Sequence, residues 1–321
     1  MSAPMRRARM VAATMCLPIG AVLMTACGGS ADRTAARDTA AISQAGVPTP
    51  ADTDDFGAPL PTDAQYAARV VSLNPAATEI IFAIGADSAL VGRSRWDEFP
   101  PEAQRIMPVG DGIRPSIETV LSVQPTLVIL YATADNRSAA EALARAGVRT
   151  VALRADRIEG FYALTRRLGV MLGATERAGV VVDSVRRTLD RVRTLTASVQ
   201  ERPSVVWPVW ESPPMVIGGG SYLDELLTIA GARNVFHDDS TASPSVSVEE
   251  IARRAPGYVI TGSTRVDVLK EATSWRAVPA VREGHFVVVN QDLTGRPSVV
   301  LGMAATHLAR LLHPALADSL R

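Results

Sequence analysis

Cysteine is nearly missing from this chain of 321 residues: Cys16 and Cys27 are the only two, both near its start. No CxxC pair is present, and the body of the protein has no thiol with which to build a disulfide or a thiolate metal centre. Lysine is scarcer still, with Lys270 alone, so arginine supplies the other basic groups, a compositional bias rather than a functional one. Formal charge is zero and neither half carries a basic block, which excludes nucleic acid as a partner. The four histidines (His237, His285, His307, His313) are scattered without metal-ligand spacing. HExxH, Walker A and GxSxG are all absent. Gly218-Gly219-Gly220-Ser221 is glycine-rich, but no lysine follows, so it reads as a turn rather than a phosphate loop. No catalytic residue, resident cofactor or resident metal is therefore expected.

Long apolar runs are also few, and the one at the N-terminus is short. Arg6, Arg7 and Arg9 precede an uncharged stretch from Met10 to Ala26, interrupted by Pro18 and Gly20. That is the layout of a signal peptide and falls below the roughly 20 residues of a membrane span. It ends in Leu23-Met24-Thr25-Ala26-Cys27, which resembles a bacterial lipobox, with Met24 in place of the usual leucine. Cleavage there leaves Cys27 as the only cysteine of the mature chain, free to carry lipid. Residues 28–65 are rich in Ala, Thr, Asp, Pro and Gly and hold few large apolar side chains. Composition of this kind does not offset the entropy of ordering. The expected layout is a signal peptide at 1–26, a disordered tether at 27–65, an α/β lobe at 66–157, a helical connection at 158–200 and a second α/β lobe at 201–321.

What the chain does have is one phrase written twice. SIETVLSVQPTLVILY (Ser116 to Tyr131) returns as SVEEIARRAPGYVITG (Ser247 to Gly262). In each, an acid (Glu118, Glu249) opens a short helix, a proline follows seven residues later (Pro125, Pro256), and an apolar strand comes next. Around these units strand and helix alternate. Strands are predicted at 70–73, 90–92, 126–130 and 150–153, then at 204–208, 258–261 and 285–290. Helices are predicted from Thr78 to Gly85, Ala139 to Ala146, Ser221 to Ala230 and Ser298 to Leu312. Such alternation is the pattern of parallel α/β sheets. Between the halves the pattern is purely helical: one helix at 158–172, then one capped at Thr175 and running to about Val199. The expectation is two Rossmann-like lobes with small parallel sheets, joined by a single long backbone helix. Matched acids on twin lobes point to a clamp that docks on a two-fold partner.

Aromatic residues make up only 5% of the chain, so their placement carries information. Trp96 lies in the loop GRSRWDEFPPEA, Tyr131 ends the strand of the first repeat, and Trp210 precedes Pro213-Pro214. Together they read as a stacking platform facing a cleft between lobes. Asp292 and Arg296, four apart in NQDLTGRPS, follow a strand, where ligand loops of parallel sheets lie. A local ion pair holding that loop is the other reading of the two.

Taken together these residues resemble the class of ABC-importer substrate-binding proteins whose two lobes are joined by one long helix, most like its cobalamin-binding members. The matching text is RVVSLNPAATEIIFAIGA (Arg69 to Ala86), the Trp96 to Pro101 loop, both Glu-x6-Pro units, LDELLTIAGARNVF (Leu223 to Phe236) and Asp292-x3-Arg296. It spans Arg69 to about Pro314. The resemblance implies ligand contacts at Trp96, Tyr131, Asp292 and Arg296, with Trp210 added from its position. It further implies docking of Glu118 and Glu249 on permease arginines, with an ATPase behind the permease. The transported ligand is expected to be cobalamin or another corrinoid, carried by an exported, membrane-anchored monomer facing the periplasm or cell exterior. Where the cobalamin class has a tryptophan six residues before the first docking acid, this chain has Gly112. Haem, through Tyr131 or Tyr222, and a ferric siderophore, through Arg93, Arg95, Arg114 and Arg296, are the alternatives within the class. A two-lobed lipoprotein hydrolase is the alternative outside it.

Overall fold

A computed structural model describes residues 52–320. Cys27 and the expected signal segment lie outside the described residues. The first half runs β1 (Val70–Leu73), α1 (Pro75–Ala83), β2 (Leu90–Arg93), α2 (Ile117–Ser122), β3 (Leu127–Tyr131), α3 (Ala134–Arg145) and β4 (Arg149–Leu153). Two helices follow, α4 (Ile158–Met171) and α5 (Thr175–Thr196). The second half begins with β5 (Ser204–Val206), a hairpin of β6 (Pro208–Glu211) and β7 (Pro214–Val216), α6 (Tyr222–Ile229), β8 (Arg233–Asn234), α7 (Val248–Arg254) and β9 (Tyr258–Thr261). It closes with α8 (Val266–Glu271), α9 (Pro279–Arg282), β10 (Phe286–Val288), α10 (Gln291–Thr294) and α11 (Leu301–Leu312).

Each half builds one four-stranded parallel sheet, in the order β2-β1-β3-β4 and β8-β5-β9-β10. Leaving the hairpin aside, the two orders are the same counted from each lobe's first strand. The sequence repeat is thus a repeat of topology, and its local geometry is copied as well. Ser116 and Ser247 cap α2 and α7, their hydroxyls accepting from Thr119 N (3.3 Å) and Glu250 N (3.1 Å). Gln124 and Ala255, the residues just before the two prolines, both sit at φ 48°. A proline disfavours the right-handed helical region for its predecessor, so each helix ends there by turning left-handed.

The lobes share a core. Ile80, Ile81 and Phe161 from the first side belong to the same apolar cluster as Val182, Leu189, Leu226 and Leu308. At 22 residues α5 is about 33 Å long, and it packs on α4, α6 and α11 rather than standing free. The connection between lobes is therefore a helical layer, of which α5 is the longest member.

Four details differ from the sequence-based expectation. Helix α1 starts at Pro75 with Asn74 as its cap, not at Thr78. Asn74 Oδ1 accepts from Ala77 N (3.3 Å), and proline suits the first helical position. Thr78 is instead buried. Helix α3 begins at Ala134, ahead of the expected Ala139, because Asn136 in its first turn is buried and polar. Its Nδ2 donates to Gly112 O (2.8 Å) and Tyr131 O (2.9 Å), an arrangement that apolar periodicity does not signal. The strand expected at 204–208 ends at Val206, and Pro208, lacking an N–H for the ladder, opens the β6–β7 hairpin.

The fourth difference corrects the tether. Residues 52–65, assigned to it by composition, lie along the sheet edge at β4. The buried Asp54 carboxylate accepts from Phe56 N (2.9 Å), Ala58 N (2.8 Å) and Ala152 N (2.9 Å). Asp55 N donates to Ala152 O (2.9 Å), and its carboxylate accepts from Arg154 N (2.6 Å). An edge strand has unpaired backbone groups, and a polar strap satisfies them without a large apolar surface of its own.

Candidate ligand-binding cleft

Strand β1 runs into Asn74, whose Nδ2 donates to Leu153 O (2.9 Å) and so ties the start of α1 to the end of β4. From there the next residues shape a cleft of about 690 Å³ lined by both lobes. Its walls come from residues at or just past strand ends: Leu73 to Ala76, Tyr131 and Asp156 on one side, and Val209, Ser221, Tyr222 and Arg296 on the other. A position between lobes at the strand ends is where parallel sheets bind small molecules.

Trp96 is held at this cleft by a buried polar knot beneath its loop. Thr78 Oγ1 joins Ser72 Oγ (2.8 Å) to the Asp97 carboxylate, which also accepts from Ser94 N (3.3 Å) and Ser94 Oγ. Burial raises the Asp97 carboxyl above its usual range, against the hydrogen bonds that favour its charge. Trp96 itself stays 56% exposed, with Asp111 accepting from its Nε1 (3.4 Å) and the Arg95 guanidinium 5.6 Å from its ring centre. Gly112 also lines the cleft, and a Cβ there would meet Leu73 O at 2.9 Å. Where the cobalamin class resembled by the sequence has a tryptophan, this backbone is packed too tightly for any side chain.

The two tyrosines differ. Tyr131 is half-buried, and burial, then the Asp156 charge, raise its phenol. Tyr222 is more deeply buried; its hydroxyl donates to Thr294 O (2.7 Å) and burial pushes its phenol far up. Its backbone N–H donates to Asp156 O (2.6 Å) across the lobes. A second tie lies nearby, where Glu225 accepts from Arg157 Nε (2.9 Å) and Ile158 N (2.7 Å).

Of the five ligand residues expected from sequence, Trp96, Tyr131 and Arg296 line the cleft, whereas Trp210 and Asp292 do not. Trp210 lies on the β6–β7 hairpin, its Nε1 bonded to Ser212 O (2.9 Å) and its ring 5.6 Å from the Arg265 guanidinium. Asp292 is exposed in the first turn of α10, and it makes no pair with Arg296. Arg296 instead bonds Glu79 of α1, which also accepts from Ser298 Oγ (2.5 Å). Glu79 went unnoticed because a lone acid inside an apolar helix phrase gives no sign of a partner more than two hundred residues away.

The other cations suited to a siderophore are also engaged. Arg93 donates to Ile106 O (3.1 Å) and Ser94 O (2.8 Å), Arg95 pairs with Asp111 (2.9 Å), and Arg114 lies 3.6 Å from Asp135. Glu118 and Glu249 are both exposed in the first turns of α2 and α7. Among the described residues no group of three or more His, Cys, Asp or Glu could hold a metal ion. No described helix is long and apolar enough to cross a membrane.

Two lobes with repeated parallel sheets, tied by a helical layer over a largely apolar cleft, define a solute-binding protein. Residues 70–293 match the family described as periplasmic binding protein, and the chain belongs to that family. It is a binding protein rather than an enzyme, which retires the hydrolase. Among curated relatives, the vitamin B12-binding protein of Pectobacterium carotovorum is 27% identical over 76% of this chain and 88% of its own. The ABC transporter substrate-binding lipoprotein YvrC of Bacillus subtilis is 26% identical over 93% and 95%. Among solved structures, the periplasmic haem-binding protein RhuT of Roseiflexus sp. RS-1 superposes with a TM-score of 0.69 at 24% identity, covering 79% of this chain and all of that one. At that identity the likeness is one of fold alone.

Proposed function

We propose that this chain is the lipid-anchored substrate-binding subunit of an ABC importer, carrying a corrinoid of the cobalamin type to a permease and its ATPase. The observation that carries the corrinoid over its rivals is that the cleft's two charged side chains and its Tyr222 hydroxyl already have partners. Haem iron bound through tyrosine needs a phenolate. Burial raises both cleft phenols, and the Tyr222 hydroxyl is bonded to Thr294 O. An anionic siderophore needs free cations; Arg93, Arg95 and Arg296 are each bonded to a carboxylate or to carbonyls, and Arg114 is ion-paired with Asp135 at 3.6 Å. A flat ligand with an apolar face and an amide rim suits what is left. Trp96 and Tyr131 give it apolar contact, and Arg296 donates to an amide oxygen through the N–H groups Glu79 does not take. Trp210 and Asp292 meet only a ligand that projects beyond the cleft.

The exported, anchored state rests on the lipobox-like run ending at Cys27 and on the lipoprotein among the relatives. Cys27→Ser is expected to move the protein from the membrane fraction to the soluble one with ligand binding unchanged. Docking rests on Glu118 and Glu249, exposed at equivalent places in the repeated unit. Exposed pairs contribute little affinity but set orientation and encounter rate. Calorimetric titration with cyanocobalamin, dicyanocobinamide, haemin and a ferric siderophore tests the ligand. Heat from the corrinoids is expected; clear binding of haemin or siderophore with none from either corrinoid overturns the assignment.

A further inference from the structure

Only two charged side chains, Asp156 and Arg296, are among the residues lining the cleft. Asp156 has Arg154 at 2.9 Å. Arg296 has Glu79, and that pair is unusual in placement. Glu79 stands on α1 of the first lobe with its side chain 1% exposed, while the Arg296 side chain is 25% exposed and forms cleft wall. The carboxylate is thus behind the guanidinium, away from the ligand. Both oxygens are committed, one to Arg296 Nε and the other to Ser298 Oγ. A buried acid is costly to keep charged unless it answers a cation, and here its effect on the cleft is to cancel one.

We propose that Glu79 is a specificity-determining residue: from behind the cleft wall it neutralises Arg296 and turns the cleft against ligands with anionic rims, in favour of neutral, amide-rimmed chelates. The proposal rests on the cleft being the binding site and sharpens the corrinoid reading by naming the residue that sets the charge. At cleft distances a unit charge in a partly dry site is felt strongly, so removing the carboxylate while keeping its shape changes selectivity more than architecture.

Haemin, with two carboxylates, its neutral dimethyl ester and dicyanocobinamide are the probes. Wild type is expected to bind the ester at least as tightly as the diacid. In Glu79→Gln the amide still accepts from Arg296 and meets Ser298, but the charge is gone. Affinity for haemin relative to its ester is expected to rise about tenfold, with dicyanocobinamide changed by less than about twofold. Ser298→Ala, which removes a hydrogen bond and no charge, is expected to leave the ratio unchanged. The double variant Glu79→Gln with Arg296→Gln is expected to restore the wild-type ratio. A wild type that prefers the diacid tenfold overturns the proposal without recourse to a variant. So does a folded Glu79→Gln protein with no gain for haemin, undetectable binding of both porphyrins included. Failure of the corrinoid reading is separate: it shows as wild type binding porphyrin but not corrinoid, whatever the acid-to-ester ratio.

Discussion

The helix–strand unit around residue 120 and its copy around residue 250 begin alike and end differently. Both have a serine cap, an exposed acid in the first turn and a left-handed residue before proline. The end of α2 is held from outside, by Arg69, whose guanidinium donates to Val123 O (2.7 Å) and Gln124 O (3.0 Å). The end of α7 is held from within, by Arg254, which bonds Glu250 (2.7 Å), Val235 O (2.6 Å) and Asp238 (2.5 Å). The strands after them part company too. Strand β3 finishes at Tyr131 in the cleft, while β9 is followed by Gly262, where a Cβ would fall 2.6 Å from the Gln291 side chain. What is equal between the lobes is the scaffold and the outward acids; what is unequal is the cleft. Duplication repeats the scaffold with an outward acid on each lobe, and the cleft is built from the departures from it.

The strongest way to break the comparison is to reverse its matched feature. Glu118→Arg with Glu249→Arg is expected to abolish uptake in reconstituted vesicles while leaving folding and ligand affinity intact, with each single change falling between. Uptake at the wild-type rate would leave both acids with only the helix-dipole benefit, about 0.3–1 kcal/mol each. The unequal feature comes next. Trp96→Ala is expected to weaken ligand binding about tenfold or more, since a buried aromatic contact contributes roughly 1.5–3 kcal/mol. Trp210→Ala, on the hairpin that has no counterpart in the first lobe, is expected to change affinity less, as read by the same titration.

The strap belongs to the first lobe alone. Asp54→Ala leaves Ala152 N and two strap N–H groups without their acceptor and is expected to cost about 1–3 kcal/mol. Calorimetric melting should show it as a fall of roughly 2–4 °C per kcal/mol for a body of this size.

Carboxylates separate the lobes by pH. In the first, burial raises Glu79 and Asp97. Between the unfolded values near about pH 4 and the folded ones, the folded forms hold protons that the unfolded chain has released. The stability contribution is therefore full below that interval and lost as pH rises through it, above which Glu79 is the anion that pairs with Arg296. In the second, arginines lower the half-buried Glu250 and the exposed Asp238, whose contribution is instead lost as pH falls. Urea midpoints are expected to decline from about pH 4 toward neutrality in wild type, and Glu79→Gln is expected to flatten that decline. The smallest effect tests the repeat itself. Gln124→Gly and Ala255→Gly relieve a left-handed backbone and are each expected to stabilise by up to about 1 kcal/mol. A gain at one site only would show that the two turns are not equivalent.

Much of this was legible in the chain. Alternating strands and helices, the long α5 and the doubled Glu-x6-Pro unit follow from local rules, because periodicity, caps and proline act over a few residues. Trp96 and Tyr131 were legible as cleft-lining residues for the same reason, being aromatics on a loop and at a strand end. Polar groups deceived the reading wherever their partners are distant. Composition assigned residues 52–65 to the tether, yet Asp54 finds Ala152 across nearly a hundred residues. Asp292 and Arg296 read either as ligand contacts or as a local ion pair, yet the carboxylate bonded to Arg296 is Glu79. Apolar patterning is written in spacing, so the sequence by itself determined the lobes, their order and the matched acids. A hydrogen bond is written only in three-dimensional proximity, so the tertiary structure alone decided which charges the cleft presents and which it cancels.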